Sequence, residues 1–165
     1  MGQQQPDLTG RRAGLWDIEE WVRRGEAGAA WSTVTSAGID TSNFELYSPG
    51  NSFYLLDVLL SATAQATWIL HTHGFPPTGI IFGKNNSLSG TGAPANAPGN
   101  YQFGSGAPAP GADQAMSGVV PAGYFGSILG RAKLFAAPSN SWSLYVEESA
   151  ASTIVVTFVY LAIGA

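Results

Sequence analysis

Apolar and polar positions along this chain follow two different periods, and the change falls near residue 30. Within 15–24, Leu15, Ile18, Trp21 and Val22 recur three to four residues apart, while Asp17, Glu19, Glu20, Arg23 and Arg24 fall between them. That spacing predicts a short amphipathic helix. Its acids stand early and its arginines late, the order the helix dipole favours, and Gly25 can end it. A helix this short rarely forms alone, so its apolar stripe must dock, either on its own domain or on a neighbouring subunit.

From Trp31 onward the period is two. Strands are predicted over 30–35, 43–47, 52–60, 63–72, 79–82, 119–124, 126–135, 141–147 and Ser152–Ile163, with a turn over 37–40 and a kink at Ser61 and Ala62. Residues 83–118 interrupt the pattern. There Gly90, Gly92, Gly99, Gly104, Gly106 and Gly111 alternate with Pro94, Pro98, Pro108 and Pro110, a density that sustains neither a helix nor a central strand. A loop of that length in a compact domain is either functional or disordered. Short strands with Gly/Pro punctuation and no helix between them predict an all-β fold, an antiparallel sandwich or barrel. About eight strands fit a jelly roll. The chain divides into an arm with its short helix, 1–30, and a β-sandwich domain, 31–165, with the inserted loop at 83–118.

The closing strand is apolar on both sides. Ile154, Val156, Phe158, Tyr160 and Ala162 share one face, and Val155, Thr157, Val159, Leu161 and Ile163 share the other. A sandwich strand normally shows water one face, so this one needs a second cover: a loop, the N-terminal helix, or another subunit. The apolar run Ala150–Ala165 is also too short for a membrane helix and rich in β-branched and aromatic residues.

Charge sharpens this picture. Half of the charged side chains lie in residues 1–30, and the remaining 135 positions carry only Lys84, Arg131, Lys133, Asp40, Asp57, Asp113, Glu45, Glu147 and Glu148. Free domains average charge at about a quarter of their positions, so a body this poor in charge reads as one covered by other protein. The net charge of −4 argues against nucleic acid as a partner. The absence of cysteine excludes disulfides and thiolate metal sites. The N-terminus MGQQQPDLTG has no apolar run of the secretory kind and has Pro6 where a myristoylation signal wants Ser or Thr.

Catalytic chemistry is thinly represented. His71 and His73 fall on one face of a strand and make up half of a metal site, with Asp57 or Glu45 as the available acids. No spacing supplies a third and fourth ligand, and an ordinary polar strand-to-loop junction before Gly74-Phe75-Pro76-Pro77 is the simpler reading. No Gly-x-Ser-x-Gly elbow is present, and Glu147 and Glu148 are adjacent on a strand, hence on opposite faces. Gly79–Lys84 lacks phosphate-loop spacing. Asp57 stands inside an apolar strand, where a hydrogen bond or an edge position would accommodate it. Tyr101, Phe103, Tyr124, Phe125, Trp142 and Tyr145 supply aromatic surface for a sugar, for a core or for an interface.

With its polar arm and short helix, its cysteine-free body rich in Gly, Ala, Ser and Thr, and its closing apolar strand, the chain resembles trimeric jelly-roll proteins of phage virions. The decoration (cement) proteins of tailed-phage capsids are the nearest in type. The resemblance implies a non-enzymatic protein on the virion's capsid surface, a homotrimer that binds the major capsid protein and stabilises the shell. It implies no cofactor, metal, nucleic acid or membrane. On that reading Ile154, Val156, Phe158 and Tyr160 form the subunit interface. Arg11, Arg12, Trp16, Ile18, Trp21 and Val22 anchor to the shell, and Tyr101 and Phe103 in the loop reach a neighbour. The alternatives are a receptor- or carbohydrate-binding knob of a tail fibre using Tyr101 and Phe103, a cupin-like metal enzyme using His71 and His73, and a coat protein.

Overall fold

The computed structural model describes residues 27–73, 79–80, 85–87, 102–105 and 113–163, together with Val22. Twelve strands follow in order: β1 (Ala27–Ser36), β2 (Asp40–Ser48), β3 (Ser52–Ala62), β4 (Ala66–His73), β5 (Gly79–Ile80), β6 (Asn85–Ser87), β7 (Gln102–Ser105), β8 (Gln114–Val120), β9 (Tyr124–Ser127), β10 (Leu134–Ala136), β11 (Asn140–Glu148) and β12 (Ser152–Ile163). They form two antiparallel sheets. The first runs β10-β3-β12-β1-β6 with β9 also on β3, and the second runs β5-β7-β2-β11-β4-β8. The sandwich predicted from alternation is therefore present.

The pairings are nested. β1 pairs with β12, β2 with β11, β3 with β9 and β10, and β4 with β8, so each pair encloses the next in sequence. Two further pairings, β3 with β12 and β4 with β11, join the nested pairs side by side into the two sheets.

Between the sheets lies one hydrophobic core. Ala30, Phe53, Leu55, Val58, Leu60, Ile154, Val156, Phe158 and Tyr160 come from the first sheet, and Phe44, Leu46, Trp68, Leu70, Trp142, Leu144 and Val146 from the second. These alternate along each strand, and in β3 the irregularity at Leu56 switches the inward positions from Phe53 and Leu55 to Val58 and Leu60. Phe53 and Tyr160 meet edge to face with ring centroids 6.3 Å apart.

Most predicted strands are found, with shifted ends. The first begins at Ala27, so the sheet starts inside the expected arm. The chain crosses from β3 to β4 at 63–65 rather than kinking at Ser61 and Ala62. The predicted strand 126–135 is two short strands, β9 and β10, separated by turns. The expected loop 83–118 contains β6, β7 and the start of β8. Gly118 is what admits β8 there. A Cβ at that position would lie 2.9 Å from the Trp68 indole, so glycine lets the edge strand close over this ring.

Local devices satisfy the irregular backbone. A bulge in the β3–β12 ladder leaves Leu56 without a register partner, and Lys133 Nζ donates to the Leu56 carbonyl at 2.7 Å. Beside it, Asp57 Oδ1 accepts from the Val58 amide at 2.8 Å and from Ser127 Oγ at 2.5 Å. Hydroxyls tie the sheet-crossing turns together at both ends of the sandwich. Thr153 N donates to Thr63 Oγ1, Ala64 N to Ser152 Oγ, Asn51 N to Ser48 Oγ, and Ser139 Oγ to the Pro49 carbonyl.

Because Phe158 is fully buried in this core, Phe158→Ala is expected to cost about 3–5 kcal/mol of stability, as large-to-small core changes do. Urea denaturation followed by circular dichroism checks it. A loss below 1 kcal/mol would contradict the core position.

Candidate functional surfaces

The four residues expected at a subunit axis are elsewhere. Ile154, Val156, Phe158 and Tyr160 are each 0 % exposed within the single chain and pack between its own sheets. The expectation chose the wrong face of β12, because both faces are apolar and sequence alone cannot say which one the chain covers itself. The face left for other contacts carries Val155, Thr157, Val159 and Ile163, all half-buried. Of the shell-anchoring set, Val22 is half-buried and helical, and Arg11, Arg12, Trp16, Ile18 and Trp21 lie outside the described residues. So does Tyr101. Phe103 belongs to β7 opposite Leu46, and its side chain lies outside the description.

The outward face of the first sheet is aromatic and almost uncharged. β3 presents Tyr54, Asp57, Leu59 and Ser61, β1 presents Ala29, Trp31, Thr33 and Thr35, and β9 and β10 add Phe125 and Phe135. Trp31, Tyr54, Phe125 and Phe135 are between 40 and 76 % exposed. Tyr54 and Phe135 stack in a tilted pair with centroids 5.3 Å apart. Among the described residues, Asp57 is the one charged side chain at these outward positions. Its two hydrogen bonds to Val58 and Ser127 hold it in the sheet, so it reads as a structural acid.

The outward face of the second sheet is different in kind. Glu45 on β2, Ser143 on β11 and His71 on β4 stand side by side in register, and all three are buried. Tyr47 and Ser141 form the next row, with His73 opposite Ser141 in the ladder. Folding thus places Glu45 in the same row as His71, with only the small Ser143 between them. No local signal marks this alignment, because the three residues come from distant parts of the chain. Among the described residues no group of three or more His, Cys, Asp or Glu is arranged to hold a metal.

A second buried acid lies at one end of the sandwich. Glu148 ends β11 opposite Asp40 of β2, and its carboxyl is 0 % exposed. Burial pushes its pKa above the ordinary carboxylate value, and the negative charge of Asp40 pushes it the same way. Its own amide and the Ser36 hydroxyl offset this in part. A raised acid pKa favours the protonated form in the fold. The stability it confers is full below the unfolded pKa and is lost as pH rises through the folded one. Glu148→Gln in chelator-containing buffer is therefore expected to raise Tm at pH 7 and to change it little near pH 4. Calorimetry across that range checks the sign, and a lower Tm for the variant at pH 7 would reverse it.

Comparison with known proteins finds no protein-family model that matches the chain and no curated protein that matches it.

Proposed function

We propose that the chain is a non-enzymatic structural protein of a virion, a jelly-roll decoration (cement) protein that binds and stabilises the major capsid shell as a homotrimer. The observation that carries this reading is the uncharged aromatic face of the first sheet on a body poor in charge. Its four exposed aromatic side chains together present roughly 400 Å², spread along the sheet from Tyr54 and Phe135 to Phe125 opposite Ser61. That is about half of what one partner gives to a standard interface. Half-buried Leu59, Val155 and Val159 extend the same surface.

The strand order supports the jelly-roll form of the fold. The sequence β1-β12-β3-β9 on one sheet and β2-β11-β4-β8 on the other is what a long nested hairpin yields when it rolls up as two Greek keys. Attachment to the shell falls to the charged arm, with Arg11, Arg12, Trp16, Ile18, Trp21 and Val22 as its contacts, and self-association falls to the aromatic face. Threefold repetition multiplies modest contacts through avidity.

Light scattering of the full chain is expected to give one discrete trimer. Phe125→Asp combined with Phe135→Asp is expected to give a folded monomer, with folding read by circular dichroism. A wild-type monomer at micromolar concentration would overturn the assembly reading. Closed shells in electron micrographs would make the protein a coat protein, and saccharide binding by the isolated trimer would make it a receptor-binding knob.

A further inference from the structure

One end of the sandwich is lined by oxygen. The β1–β2 turn at 37–39 and the β11–β12 turn at 149–151 both cross between the sheets there. Buried at this end are Ser36, Ser42, Glu148 and Ser152, and exposed Asp40 stands at its rim. Glu148 and Asp40 oppose each other in the β2–β11 ladder, and Ser36 opposes Ser152 in the β1–β12 ladder. Directly opposed residues bring their Cβ atoms to about 4.5–5.5 Å. Ser36 Oγ donates to the Gly38 carbonyl at 3.2 Å, which puts two more oxygens on the same turn. Asp40 Oδ1 accepts from the Thr41 amide at 2.7 Å, leaving Oδ2 for another partner.

We infer that this end binds one divalent cation of the calcium type, held by the carboxylates of Glu148 and Asp40 with the Ser36 hydroxyl and the Gly38 carbonyl. Beyond the juxtaposition of two acids, the burial of one of them points to a ligand. Glu148 is fully buried, and neither of its carboxyl oxygens has a hydrogen-bond partner of good geometry. Among the described residues, the groups that act on it are Asp40, the Ser36 hydroxyl and its own backbone, with no cationic side chain. A carboxylate stripped of water beside a second carboxylate needs either a proton or a cation. The remaining donors decide which cation. They are all oxygen, with neither His nor Cys in the set, and hard oxygen donors suit calcium or magnesium rather than zinc or copper. The set is also irregular and split between two turns, a geometry calcium tolerates and magnesium does not. With only two carboxylates, the affinity belongs at the weak end for calcium, on the order of 0.1–1 mM.

The test is thermal unfolding and isothermal titration of the full-length protein at pH 7, first in chelator and then with calcium chloride alone. Saturable binding of one calcium per chain is expected. At a hundredfold excess over the dissociation constant, Tm should rise by roughly 5–10 °C. Magnesium chloride should give a smaller shift at equal concentration. Glu148→Gln and Asp40→Asn should each remove the calcium response, and Asp40→Asn alters only an exposed side chain, so it remains informative if the first variant folds poorly. A calcium response unchanged in Asp40→Asn overturns the site. So does the absence of any response in the wild type. If the wild type instead gains stability only on acidification, and Glu148→Gln abolishes that gain, Glu148 is kept protonated and no cation is bound.

Discussion

The structure depends on where β12 lies. It is hydrogen-bonded to β1 on one side and to β3 on the other over nearly its whole length. The last strand of the chain is thus the centre of the first sheet. Its inward side chains Ile154, Val156, Phe158 and Tyr160 reach the core from that central position and contact residues of both sheets' strands. Nothing else could seal the β1–β3 gap, so the outer pairs of the nested arrangement close only when the two ends of the chain meet. Contacts of such long sequence separation carry a large loop-closure cost before they return any stabilisation. The unbroken run of β-branched and aromatic residues in β12 offsets that cost by burying apolar area on the inward face and partly on the outward one.

Once both sheets are committed to one core, their outward faces are free to differ, and they do. The first turns aromatic and aliphatic side chains outward, with a single hydrogen-bonded acid among them. The second buries a polar row, Glu45, Ser143 and His71, on the side away from the core. An apolar face in water is a surface suited to another protein, whereas a buried polar row needs internal satisfaction. Under the proposed function, the first face serves self-association and the second serves internal order. This division requires no change in the fold.

Scarcity of charge also changes the weight of each charge that remains. Lys133 serves the backbone at the β3 bulge, Asp57 bridges β3 and β9, and among the described residues no cationic side chain acts on buried Glu148. In a body with many lysines and arginines such an acid would find an ion pair. Here the nearest strong influence is a second carboxylate, which is why the end of the sandwich holds an electrostatic tension that a proton or a bound cation can relieve.

The sequence by itself determined the all-β class, the bounds of β12, the period-two alternation that sorts side chains to two faces, and the charge-poor character of the body. Each is a local or additive property: alternation is built into the strand, and charge is simply counted. The tertiary structure decided which face of β12 meets the core, since Val155 and Val156 are equally apolar and only the presence of the opposite sheet distinguishes them. It also decided that Gln114–Val120 is a strand in spite of Gly118, because the Trp68 indole occupies the space a side chain would need. The neighbourhoods of Glu45 with His71, and of Asp40 with Glu148, were likewise beyond local reading. They arise from ladder registers between segments far apart in the chain, and register is set by how the two sheets close on each other, which no local pattern records.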